Sequence, residues 1–179
     1  MRIKTKTMAY VAVVAALYAA ITISTVFMAY SPLQFRIAEA LNLLVFFNPI
    51  FAPAVLLGVL IANFFSPYGF VDVIFGTSAS AIAIALILAT RKVLGGGAVS
   101  LFVAAWWPVI VNALMIPLVF MLYGGEGVSL EAFLPFAGSI AFGQFVVVVL
   151  FGYIFCRILM AKHPNFIEII KNLNKNAER

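Results

Sequence analysis

Residues 145–155 read Phe145-Val-Val-Val-Val-Leu-Phe-Gly-Tyr-Ile-Phe155, and this run decides the fold. A strand of a membrane barrel alternates lipid-facing and lumen-facing side chains over about ten residues. No polar group recurs at every second place here, and Ala79 to Ala89 shows the same lack of alternation. The run also sits inside a longer apolar segment, Leu134 to Met160, long enough for a helix to cross the roughly 30 Å of hydrocarbon in a bilayer. It therefore predicts a membrane-spanning helix.

The rest of the chain agrees. Of 179 residues, 65% are hydrophobic and only 9% charged, with a mean hydropathy of +1.17, whereas soluble domains carry about 25% charged residues. The expected fold is an all-α membrane protein with six transmembrane helices and no soluble domain. Met8 to Ala29, Val71 to Thr90, Ala98 to Leu122 and Leu134 to Met160 each supply one span. Between the first two, Phe35 to Phe65 is broken by Asn48-Pro49 and by Pro53, so it predicts two short helices joined by a tight turn. Whether this pair crosses the bilayer or dips into it, both its ends emerge on the same side. The lone Cys156 has no partner for an intramolecular disulfide and reads as a packing residue.

Basic residues set the orientation, because loops rich in Lys and Arg stay in the cytoplasm. With a cytoplasmic N-terminus, Arg2, Lys4, Lys6, Arg91, Lys92, Arg157, Lys162, Lys171, Lys175 and Arg179 all fall inside, ten of the 11 basic residues. The loop with Glu126 and Glu131 falls outside. The net charge of +5 is then a topology signal and calls for no nucleic-acid partner. The basic start followed by an apolar run is too long for a signal peptide and is expected to remain uncleaved. The chain divides into a transmembrane domain, residues 1–162, and a cytoplasmic tail, 163–179. In that tail Phe166, Ile167, Ile169, Ile170 and Leu173 recur at helical spacing among lysines and asparagines, as in a helix lying on the cytoplasmic leaflet. His163 is the only histidine and reads as a solvated loop residue; no metal site or cofactor is expected.

The eleventh basic residue lies within Gln34-Phe-Arg-Ile-Ala-Glu-Ala-Leu-Asn42. Arg36, Glu39 and Asn42 recur at every third position, a slowly drifting stripe on an α-helix, and Asp72 follows the turn Ser66-Pro67-Tyr68-Gly69. A charge at a helix centre costs about 2.5 to 3.5 kcal/mol on insertion scales, so such groups face a cavity or each other. One reading is an i,i+3 ion pair that satisfies Arg36 and Glu39 and does nothing more. The other is a water-accessible pocket for a donor-rich or cationic solute, supported by amides at similar depth on other helices: Asn63, Asn112 and Gln144. The chain has no G-x-x-x-x-G-K-[ST], H-E-x-x-H or G-x-S-x-G sequence. It also lacks two halves with matching broken helices, the sign of a repeat-built secondary transporter.

The first helix carries alanines at overlapping four-residue intervals, Ala12 with Ala16 and Ala16 with Ala20. Small residues so spaced let a second helix approach closely in lipid.

Together, the alanine-rich first helix, the Gln34 to Asn42 motif, Ile61-Ala-Asn63 and Asp72-Val-Ile-Phe-Gly-Thr77 make the chain resemble the QueT family over nearly its whole length. These are substrate-binding S components of energy-coupling factor (ECF) transporters, located in the bacterial cytoplasmic membrane. The resemblance implies capture of a queuosine precursor, a deazaguanine such as preQ1 or preQ0, from outside. It further implies docking through the first helix (Ala12, Ala16, Ala20) onto a membrane scaffold T component that sits on two cytoplasmic ATPases, and toppling in the bilayer to release the solute. An aminomethyl-deazaguanine offers an adjacent ring N–H and amine, a carbonyl, a flat face and an ammonium. Glu39 and Asp72 suit the donor edge and the ammonium in either order. Asn42, Asn63, Asn112 and Gln144 suit the remaining polar groups, and Phe35, Tyr68, Trp106 or Trp107 the flat face. Arg36 either keeps Glu39 ionised or donates to the carbonyl. The rival readings are an S component for another vitamin or heterocycle, a small intramembrane enzyme using Glu39 and Asp72, and a proton-coupled carrier that needs no partner.

Overall fold

The computed structural model describes residues 5–31, 33–124 and 129–173, with backbone alone for 5–7 and 124. Arg2, Lys4, Glu126, Lys175, Arg179 and the side chain of Lys6 therefore lie outside the described residues. All regular structure among the described residues is helical. Three helices are long and apolar enough to cross a membrane, and shorter apolar helices surround them.

Helix α1, Thr5–Ser24, stops earlier than its apolar pattern predicts. The Ser24 and Thr25 hydroxyls both donate to the Ile21 carbonyl, at 3.0 and 2.7 Å, and such back-bonding competes with the helix ladder. One further turn, α2, Val26–Ala29, follows the break. The predicted pair of short helices is present as α3, Ile37–Phe47, and α4, Phe51–Asn63. Asn48 makes the turn between them: its Oδ1 accepts the Ile50 N–H at 3.0 Å, and its backbone is extended, as a residue before proline prefers. Within α3, residues Ile37–Leu43 form a 3₁₀ helix rather than the expected α-helix.

The long helices are α5, Asp72–Leu94; α6, Ala98–Gly124; and α7, Leu130–Lys162. Two contain π-helical stretches, Asp72–Gly76 at the start of α5 and Phe145–Tyr153 in α7. The valine run that predicts a helix is thus helical, but wound more loosely than an α-helix. A last helix, α8, Pro164–Lys171, opens on proline, whose fixed φ suits a first helical position.

Packing is closest where small residues meet. A Cβ on Gly58 of α4 would lie 2.6 Å from Tyr18 Cβ and 2.8 Å from the Ala15 carbonyl oxygen of α1, so these two backbones nearly touch. The core runs through Tyr18, Phe46, Val55, Ile87, Leu101 and Val148. It also takes in Ile167, Ile170 and Leu173 of the tail, while Asn48 Nδ2 donates to the Ile170 carbonyl at 2.8 Å. The tail helix therefore packs on the bundle by one apolar face and leaves Phe166 and Ile169 exposed on another.

Candidate functional site

Every irregular helical stretch among the described residues carries or directly follows a polar residue of the predicted site. Arg36 precedes the 3₁₀ segment, and Glu39 and Asn42 lie within it. With three residues per turn, a 3₁₀ helix stacks positions i, i+3 and i+6 directly above one another. The stripe that would drift on an α-helix is therefore a straight row. Asp72 opens the π segment of α5 and Gln144 immediately precedes that of α7, and π segments are frequent at functional sites.

Arg36, Glu39, Asn42, Asn63, Asp72, Asn112 and Gln144 are all buried; neither carboxylate points into lipid. Arg36 lies between them, with Nη1 3.9 Å from Glu39 Oε1 and Nη2 3.8 Å from Asp72 Oδ2. Both separations exceed hydrogen-bond length, and Arg36 Nε and Nη2 make no hydrogen bond among the described residues. Its guanidinium carbon sits 4.6 Å from the centre of the Tyr30 ring, a cation–π contact that holds the charge without using its N–H groups.

Each carboxylate is also held by neutral donors, in both cases including one on the oxygen nearest Arg36. Glu39 accepts from Tyr18 Oη–H at 2.9 Å and from Asn42 Nδ2. Asp72 Oδ2 accepts from the Ser66 hydroxyl at 2.5 Å. Asn63 ties the neighbourhood together: Nδ2 donates to the Asp72 carbonyl at 3.0 Å and to Thr77 Oγ1 at 3.2 Å, while Oδ1 accepts from Tyr30 Oη–H at 3.2 Å. Gly76 permits this, because a Cβ there would sit 3.1 Å from Asn63 Nδ2.

Besides Arg36, two predicted residues present unpaired groups. Gln144 is fully buried, and neither Oε1 nor Nε2 finds a partner among the described residues; Asn42 Oδ1 is likewise unpaired. Asn112 makes no hydrogen bond to the other predicted residues. Its neighbours on α6 pack elsewhere: Trp107 donates through Nε1 to Thr90 Oγ1 at 2.7 Å, near the far end of α5. Since Thr90 lies 18 residues along α5 from Asp72, at 1.5 Å per residue this hydrogen bond is about 25 Å along the helix from Asp72.

Trp107, one of the four candidates for the flat face, is therefore held away from Asp72. Trp106 packs on Phe102 and Phe145, and Phe35 meets Phe142 edge-on. Tyr68 is 42% exposed and lies at the rim: its hydroxyl donates to the Tyr30 carbonyl at 3.3 Å, and its ring meets Phe120 edge-on at 4.4 Å. Tyr18, Tyr30 and Ser66 join the site without having been singled out in the sequence. Their signal is weak but physical, since a hydroxyl buried in an apolar span needs a partner. On α1, Ala12, Ala16 and Ala20 are exposed, whereas Ala15, Tyr18 and Ala19 are buried. An apolar cavity of about 660 Å³ beside Cys156, lined by residues such as Ile21, Leu44, Phe155 and Ile170, includes none of the acidic or amide groups.

A family model described as QueT transporter matches residues 8–161, which is most of the chain. The chain belongs to the QueT transporter family. Its membership places it among transporters rather than enzymes, which removes the intramembrane-enzyme reading. Over 85 residues it is 40% identical to the queuosine precursor transporter QueT of Lactococcus lactis subsp. cremoris (strain MG1363), a stretch covering 46% of this chain and 50% of that relative. The match thus spans about half the length of the relative. No solved structure matches.

Proposed function

We propose that this chain is the substrate-binding S component of an ECF-type importer and that the Arg36–Glu39–Asp72 cluster captures a queuosine precursor in its cationic, aminomethyl form. One observation carries the reading: a single buried guanidinium faces two buried carboxylates, so with both carboxylates ionised the cluster holds one net negative charge. In a low-dielectric surrounding an unbalanced charge costs several kcal/mol. A solute bearing one ammonium removes the imbalance. The groups left unpaired, Arg36 Nε and Nη2, Asn42 Oδ1 and the Gln144 amide, supply donors for a ring carbonyl and acceptors for ring N–H groups. Tyr30, whose ring also meets the Arg36 guanidinium, adds an aromatic face beside the cluster. The name of the lactococcal relative supports this solute class.

Titration of the purified chain with aminomethyl-deazaguanine, its nitrile counterpart, guanine and common vitamins tests the proposal. The amine is expected to bind tightest, and the neutral nitrile at least about tenfold more weakly, as for loss of one charge-assisted hydrogen bond. Equal affinity for amine and nitrile overturns the charge argument; tighter binding of a vitamin overturns the solute class.

The remaining parts of the reading are a six-span topology with both termini cytoplasmic, docking to a scaffold T component, and uptake driven by two ATPases. Charge distribution supports the topology, since Arg91 and Lys92 end the span that Asp72 opens, and Arg157 and Lys162 end the span that has Glu131 in its first turn. Exposure of Ala12, Ala16 and Ala20 along one face of α1 supports docking there, because a flat small-residue stripe admits close helix approach. Ala16→Trp is expected to abolish co-purification with the scaffold while leaving solute affinity within about twofold, a surface change having little effect on the fold. Normal co-purification would remove α1 as the docking face.

A further inference from the structure

Tyr18 belongs to two structures at once. Its hydroxyl donates to Glu39 Oε1 at 2.9 Å, inside the polar cluster, while its Cβ abuts Gly58 of α4, where an added Cβ would come within 2.6 Å. The side chain is 0% exposed, so it cannot leave Glu39 without moving α1 against α4. Two residues along an α-helix turn through about 200°, which puts Tyr18 on the face opposite Ala16 and Ala20. The site-facing and open faces of α1 are thus two sides of one rod. Directly after Tyr18 the rod weakens: Thr22 Oγ1 donates to the Tyr18 carbonyl at 3.0 Å, and Ser24 and Thr25 both donate to the Ile21 carbonyl. Hydroxyl back-bonds of this kind bend helices.

Glu39 Oε1 also faces Arg36 Nη1 at 3.9 Å. A cationic or N–H donor that takes up Glu39 must compete for its oxygen lone pairs with Tyr18 and Asn42, or draw the carboxylate toward itself. Either change reaches α1 through the tyrosine. We infer that Tyr18 is a positioning residue coupling occupancy of the Glu39 site to the placement of α1. This rests on the solute reading above. By linkage the coupling runs both ways: whatever binds the open face of α1 alters solute affinity by the same factor.

The test uses the full chain with Val13, 65% exposed on α1, replaced by cysteine (Val13→Cys), Cys156→Ser, and an environment-sensitive fluorophore at the new thiol. Saturating aminomethyl-deazaguanine is expected to shift the emission. Tyr18→Phe keeps the ring against Gly58 but removes the donor; it is expected to weaken solute binding about tenfold and to abolish the shift even at saturation. A merely structural role would leave the shift intact. Should Tyr18→Phe fail to fold, Glu39→Asp withdraws the acceptor from the other side and is expected to uncouple α1 likewise. Solute binding with no shift in the parent, or an undiminished shift in the variant, overturns the coupling while the solute reading stands. Absence of solute binding in the parent overturns both.

Discussion

Glu39→Gln is expected to lower affinity for aminomethyl-deazaguanine at least about hundredfold, as for loss of a charged partner to a buried cation, and to leave the chain folded. The side chain keeps its shape, and the amide oxygen still accepts from Tyr18. On the other side, Asn42 presents Nδ2 to Glu39 and leaves Oδ1 unpaired. By turning its amide, Asn42 accepts from the new Gln N–H₂ while its own N–H₂ moves to the place where Oδ1 stood unpaired, so one unpaired group is exchanged for another and none is added. What changes is charge. Arg36 and Asp72 then balance, and a solute ammonium finds no surplus negative charge. The variant should consequently erase the preference for amine over nitrile rather than weaken both equally. Paired titrations, with thermal unfolding in detergent as the check on folding, read this directly. An unchanged amine-to-nitrile ratio would place the ammonium elsewhere, and unchanged affinity would remove Glu39 from the site.

The charges behind that result were legible in the sequence because the membrane makes them conspicuous. Arg36, Glu39 and Asp72 stand in a chain with few charged residues, and each buried charge requires a partner. The spacing of Arg36, Glu39 and Asn42 was equally visible, but not the 3₁₀ geometry that converts a drifting stripe into a row. Local propensity differs little between α, 3₁₀ and π windings; the choice is made by packing of α3 on the π stretch of α7, where a Cβ on Gly152 would lie 3.2 Å from Leu43 Cδ1 and 3.4 Å from Ala40 Cβ. Tyr18 and Tyr30 were hidden for a different reason. A tyrosine in an apolar helix is compatible with an interfacial anchor or a core residue, and only the fold brings Tyr18 to Glu39 across 21 positions of sequence. The same ambiguity holds for Trp107, whose indole donates to Thr90, far along α5 from Asp72. The alanine stripe on α1 had the advantage of periodicity: the interval that spaces Ala12, Ala16 and Ala20 keeps them on one face whatever the rest of the bundle does.

The second large effect concerns a residue with no chemistry of its own. At Gly143, just before Gln144 on α7, an added Cβ would lie 1.8 Å from the Leu33 carbonyl oxygen, 2.9 Å from its carbon and 3.2 Å from the Gln34 carbon. All three are backbone atoms, so no side chain can swing aside; the 33–34 segment itself must move by more than an ångström. That segment is poorly placed to yield. Gln34 is buried with φ 45, a left-handed conformation that side chains rarely adopt, and its carbonyl accepts the Arg36 N–H at 2.8 Å. Gly143→Ala should therefore displace Arg36 along with the backbone. The expected outcome is a loss of about 3 kcal/mol or more of stability, in the range of severe overpacking, with solute affinity lost in whatever fraction remains folded. Gly138, five residues earlier on the same helix, meets nothing within 4 Å of an added Cβ. There alanine is the better helix former by up to about 1 kcal/mol, so Gly138→Ala should hold or raise the unfolding temperature and leave solute binding unchanged. Because both changes add the same methyl to the same helix, the difference between them isolates the contact with residues 33–34. If Gly143→Ala unfolds and binds like Gly138→Ala, α7 does not brace the segment that aims Arg36 at the two carboxylates, and the guanidinium must be held by Tyr30 alone.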